Sequence, residues 1–77
     1  MPKYRVSVLN EHFTSEEELD SPDMNDALKR ALKGALDIAT EHVSSGQPFF
    51  GAKLTLSEGS KKLLRMVVSV GAAPLRS

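Results

Sequence analysis

His12 and His42 each stand beside a glutamate, Glu11 and Glu41. Imidazole with carboxylate is a donor set that zinc accepts. A closed site needs its ligands to converge, and nothing in the spacing of these two pairs pins them together, so no metal site is expected. His42 has the alternative chemistry of a general base. Its place just before Val43, on the apolar side of a helical pattern, reads instead as a histidine at the edge of a core. His12 reads as a turn residue. The run Glu16-Glu17-Glu18 with Asp20 offers oxygen ligands for a divalent cation, but it lacks the D-x-D-x-D-G loop that wraps one and reads as solvated. Ser44 and Ser45 have no base near them, and no acid is placed in an apolar pocket for acid–base work. Gly59 and Gly71 are lone glycines, so there is no phosphate loop. The expectation is a protein that is not an enzyme and uses no cofactor and no metal.

What remains is chemistry by contact, and the elements decide which residues share a surface. Lys3–Leu9 alternates Tyr4, Val6 and Val8 with Lys3, Arg5 and Ser7, the period of a half-buried strand. A short edge strand is expected within Phe13–Leu19, where three glutamates protect an exposed edge from mispairing. Pro22–Gly46 carries the one helix. Its N-cap is either Asp23, or Ser21 with Pro22 in the first turn. Met24, Ala27, Leu28, Ala31, Leu32, Ala35, Leu36, Ile38, Ala39 and Val43 form its apolar side. Gly34 falls at the margin of that side, where close contact with a strand or a second chain would explain it. Gly46 suits the left-handed position after a helix. Phe49–Ser57 and Lys62–Val70 read as a hairpin closed by Glu58-Gly59-Ser60-Lys61. Phe50, Ala52, Leu54 and Leu56 face the helix from the first strand of that hairpin, and Leu64, Met66, Val68 and Val70 from the second.

The order β-β-α-β-β predicts a two-layer α+β domain: a four-stranded, mostly antiparallel sheet with one helix packed on one face. Residues 1–70 form the single domain and 71–77 a flexible tail. The other sheet face then presents two sets of residues. Lys3, Arg5, Lys53 and Arg65 form a basic patch. With Phe49 as a stacking platform, that patch points to nucleic acid, although the aromatic-rich strands of RNA-recognition sheets are missing. Phe49, Leu63 and Val67 form an apolar set suited to pairing with a second copy of the chain.

Composition bears on that choice. Seventy-seven residues give one small domain whose core is hard put to stabilise it alone, and with no cysteine it has neither disulfides nor thiolate metal sites to help. Self-association is the remaining aid. The net charge is zero, yet residues 1–26 hold seven acids against two bases, and residues 27–77 hold eight bases against three acids. Mutual attraction of the two halves inside one fold is the plain reading of this split, and a charged patch for a partner the sharper one. The overall balance is unlike that of a dedicated nucleic-acid binder. The N-terminus lacks the apolar segment of a signal peptide, and no run approaches the ~18 apolar residues of a membrane span. A soluble cytoplasmic protein is expected.

The opening Met1-Pro2-Lys3-Tyr4 resembles the M-P-R-Y start of a family of short bacterial domains of unknown function, found mainly in alphaproteobacteria. The acidic Glu16–Asp20, the Pro22-Asp23 helix start, the alanine-rich stretch from Ala27 to Ala39 and the Gly59 turn resemble that family's layout in order. Two features depart from it: Arg5-Val6 replaces an aromatic pair, and the acidic segment has no glycine. The resemblance implies a bacterial protein of this fold layout and no activity, cofactor or catalytic residue. The function expected is that of a self-associating interaction or structural module, a homodimer. The alternative is a small nucleic-acid-binding or regulatory module using the basic residues of the open face.

Overall fold

In the computed structural model, which describes residues 1–75, the elements run β1 (Lys3–Leu9), β2 (Thr14–Asp20), α1 (Met24–Ser44), β3 (Phe49–Glu58) and β4 (Lys61–Gly71). The four strands form one sheet in the order β2-β1-β3-β4, and every neighbouring pair is antiparallel. Both β2 and β3 are antiparallel to β1, so they are parallel to each other. A parallel pair needs a crossover, and α1 supplies it. This is the expected α+β fold.

The helix starts as its first capping choice predicts. Asp23 has extended backbone, and its Oδ1 accepts from the Asp26 N–H at 2.8 Å. Ser21 is not the cap. It is fully buried, its N–H donates to the Pro2 carbonyl, and its hydroxyl lies 2.7 Å from an Asp26 carboxylate oxygen. At the other end Gly46 takes φ +111°, and its N–H closes on the Val43 carbonyl. The face that α1 buries is narrower than its apolar pattern. Ala27, Ala31, Ala35 and Ala39, spaced by four, are buried, whereas Met24, Leu36 and Ile38 are exposed. Side chains of one carbon let the helix axis lie close to the sheet, and the larger residues are displaced to its flanks. The large core side chains therefore come from β3, where Phe50, Leu54 and Leu56 are fully buried. Gly34 makes no close contact within the fold, since a Cβ there would meet nothing within 4 Å.

β2 is longer than expected. All seven of its residues pair with β1 despite a sequence, Thr-Ser-Glu-Glu-Glu-Leu-Asp, of low strand propensity. Arg30 helps hold its end by donating to the Asp20 carbonyl at 2.7 Å. The β3–β4 hairpin turns through Gly59-Ser60 with Gly59 at φ +60°, as a two-residue turn with glycine first requires. β4 includes Gly71, and the Ala72 N–H donates to the Pro48 carbonyl. The tail expected from residue 71 is thus anchored at its first two residues, and residues 76–77 lie outside the described residues.

Tyr4 sits in the core, and its burial raises the phenol above its ordinary value of 10.0, with the charges of Glu58 and Asp23 acting in the same direction. The folded state then holds the neutral phenol more firmly than the unfolded chain does. That contribution is complete below pH 10 and is lost as pH rises through 10 toward the raised folded value. Tyr4→Phe is expected to lose less stability than the parent above pH 10, as read by denaturant unfolding along a pH series. Parallel curves for the two proteins would count against this account.

Candidate interaction surface on the open sheet face

Because Tyr4, Val6 and Val8 point into the core, Lys3, Arg5, Ser7 and Leu9 point out the other side. The register aligns these residues into rows across the sheet. One row reads Glu18, Arg5, Ser57, Lys62. The next reads Glu16, Ser7, Thr55, Arg65, and the third Thr14, Leu9, Lys53, Val67. The open face is therefore acidic along β2, basic and then hydroxylated across the middle, and basic again along β4.

The expected basic patch does lie on this face, but it is divided. Lys3 is directly opposite Asp20 and Arg5 directly opposite Glu18, so acids offset the β1 half. Lys53 and Arg65 remain as a pair on the far side, flanked by Lys62. A uniform cationic track for a phosphate backbone is not what these rows form.

Of the expected apolar set, Phe49 and Val67 are on the face, with 62% and 72% of their surfaces exposed. Leu63 is not. The β3–β4 register slips between Leu56 and Ser57, whose partners are Leu64 and Lys62, so Leu63 is an extra residue in a bulge. The slip reverses the alternation. Lys62 stays on the open face while Leu63 joins Leu64 on the helix side, packed against the core. Strict alternation along Lys62–Val70 misplaces it for this reason.

The third apolar member of the surface is Leu9, 49% exposed and sharing its row with Val67. Its outward orientation follows from the same alternation that buries Tyr4, Val6 and Val8, so the signal for it is present in the sequence. Phe49 belongs to the same end of the face because Gly51 admits it. A Cβ on Gly51 would lie 2.9 Å from Phe49 Cε2, so the ring rests over the glycine, as aromatic side chains do over strand glycines. Asn10 fixes this corner. Its Nδ2 donates to the Gly51 carbonyl at 2.8 Å, and its Oδ1 accepts from the His12 N–H. The result is an open depression of about 500 Å³ lined by Leu9, Gly51 and Val67 together with the charged Lys53 and Glu11.

The fold does bring the two histidines together. His12 stacks on His42 with ring centroids 6.4 Å apart, and His42 meets the Phe50 ring edge-on at 5.5 Å. Glu11 pairs with His12 at 3.1 Å. Among the described residues, however, no three histidine, aspartate or glutamate side chains are arranged to hold a metal ion. Glu16 and Glu18 face outward and Glu17 faces the helix side. No helix among the described residues is long and apolar enough to cross a membrane. No family model matches the chain, and no curated protein and no solved structure is significantly similar to it.

Proposed function

We propose that this protein is a self-associating interaction module whose open sheet face packs against the same face of a second copy. The observation that carries this reading is the gathering of exposed Leu9, Phe49 and Val67 at one end of that face. The layout is self-complementary. A two-fold axis lying between two stacked sheets and parallel to the strands keeps the apolar ends together, setting Leu9 near Phe49 of the copy. The same rotation carries the acidic β2 of each copy over the basic β4 of the other. Stacked antiparallel sheets with nearly aligned strands are a common way to bury such faces.

The shape of the protomer supports the need for a partner. Its radius of gyration is 14.1 Å, against about 11.5 Å for a compact domain of this length. Five of the twelve buried core residues are alanine. One thin core and one uncovered face make a fold that gains from association.

Size-exclusion chromatography with light scattering tests the proposal. At ~0.15 M ionic strength the expected mass is twice the 8.4 kDa of the chain. Leu9→Thr, Phe49→Thr and Val67→Thr together keep strand propensity while removing the apolar surface, and are expected to return the mass to 8.4 kDa. A monomeric parent protein at tens of micromolar would overturn the reading. Salt-dependent binding of single-stranded nucleic acid, lost on Arg65→Glu, would then favour the nucleic-acid alternative.

A further inference from the structure

The two free edges of the sheet carry opposite charges. β2 has Glu16, Glu17, Glu18 and Asp20 and no base, whereas β4 has Lys61, Lys62 and Arg65 and no acid. Attraction between the two edges of one protomer does not account for this, although Lys3 and Arg5 of β1 face Asp20 and Glu18 across the sheet. β2 and β4 are the outermost strands, about 14 Å apart at the usual strand spacing, which exceeds the ~8 Å screening length of physiological salt. Among the described residues the ion pairs are all local in sequence, and none joins the two edges.

We propose that the edges pair head to tail, β4 of one copy adding to β2 of the next, so that copies of the chain extend a single antiparallel sheet. Three features of the fold support this arrangement. Strand direction alternates across the sheet and the strand number is even, so β4 of one copy and β2 of a following copy in the same orientation are antiparallel without any inversion. The rows also match. With no stagger between copies, Lys62 at the end of one row meets Glu18 of the next copy, and Arg65 meets Glu16. Opposite charges directly across a strand pair are stabilising, and like charges destabilising. Pairing of β2 with β2, or β4 with β4, brings like charges together, so the same residues that favour the unlike edges oppose the two isologous ones.

The helix layer leaves room for this junction. α1 packs chiefly over β4 and β3, leaving a groove of about 350 Å³ above β1 and β2, with Val6 and Val8 in its lining and Gly34 on its helix wall. Leu36, 44% exposed, is on the opposite flank of the helix, toward β4. In a head-to-tail array that flank of one copy borders the open groove of the next, and the bare Gly34 leaves that groove wide. Such a heterologous contact does not close at two subunits. With a sheet twist of roughly 20–25° per strand it leads to an open, helical assembly.

This inference uses the sheet edges and not the apolar face, and the experiment separates the two. The starting protein is the Leu9→Thr, Phe49→Thr, Val67→Thr variant, in which face pairing is removed and the edges are intact. Light scattering is expected to show its mass rising with concentration at ~0.01 M ionic strength, and returning to that of the protomer at ~1 M, where the screening length is about 3 Å. Adding Glu16→Lys and Glu18→Lys, or separately Lys62→Glu and Arg65→Glu, is expected to abolish the rise, with circular dichroism confirming that each remains folded. An equimolar mixture of the two charge-reversed proteins, or one chain carrying all four reversals, is expected to regain it. The proposal is overturned if the starting variant stays monomeric at low salt at every concentration. It is equally overturned if either charge-reversed protein assembles alone, or if the mixture is no larger than its components.

Discussion

Leu63→Asp is expected to destabilise the fold strongly, whereas Val67→Asp, four residues along the same strand, leaves the fold intact and strips it of its partner. The bulge opposite Leu56 separates the two outcomes. Leu63 packs against the core on the helix side, so aspartate there loses apolar burial and places a carboxylate against Leu64 and its neighbours. The cost is roughly 2–4 kcal/mol, set against a total of about 4–12 kcal/mol for a chain of this size. Val67 is 72% exposed, and substitutions at such positions usually change stability by no more than about 0.5 kcal/mol. Val67 lies within the proposed face contact, however, and a charge there is left desolvated in both copies. Thermal unfolding at one protein concentration is the discriminating measurement. Leu63→Asp should lower the midpoint by roughly 10–30 °C, at about 4–8 °C per kcal/mol for so small a domain. Val67→Asp should shift it only by the amount that loss of the partner accounts for, while light scattering reports a monomer. Similar loss of stability in both variants would place both residues in the core and remove the basis of the face proposal.

How far the fold could be read from the sequence depends on what kind of signal each element carries. β1 and β3 show their alternation without interruption, and the inward residues Tyr4, Val6, Val8, Phe50, Ala52, Leu54 and Leu56 are all buried as that alternation requires. The helix was legible from its cap and its glycine stop, because Asp23 and Gly46 act through local backbone geometry. Its buried face was less legible. Periodicity gives the direction of a face but not how close the helix lies to the sheet. Only the packing shows that the four alanines make the contact while Leu36 and Ile38 sit outside it. β2 was hardest among the strands, since its glutamates oppose strand formation locally and pairing with β1 overrides them. The strand order could not be obtained from local signals, because it depends on which strand enters between the parallel pair β2 and β3. Of the surface residues, Leu9 was available to simple alternation. Leu63 was not, because a bulge leaves no mark in the sequence Lys-Lys-Leu-Leu-Arg. The meeting of His12 with His42 likewise arises from the helix end descending over the β1–β2 turn, which no spacing encodes.

Phe50→Ala is expected to be the most damaging single truncation in the chain. Because α1 contributes mainly methyl groups to its buried face, the volume of the core depends on the few large side chains of β3, of which Phe50 is the bulkiest. Its ring lies between two others, 6.3 Å from Phe13 and 5.5 Å from His42, so it joins the β1–β2 turn, the helix C-terminus and the sheet at one point. Removing it costs about 3–5 kcal/mol, the transfer term plus the cavity left behind. The neighbours can do little to refill the space. His42 cannot enter an apolar void without desolvating its ring nitrogens. Exposed Phe49, the adjacent residue, is the control: the same truncation there removes a ring that rests on Gly51 at the surface and leaves the core intact. Denaturant unfolding of the two variants at one protein concentration should place the Phe50→Ala midpoint far below that of Phe49→Ala. It should also show loss of the packing between His12 and His42 in Phe50→Ala alone, as a change in their imidazole proton resonances. Equal midpoints for the two variants would mean that the buried Phe50 ring contributes no more to stability than the exposed ring of Phe49.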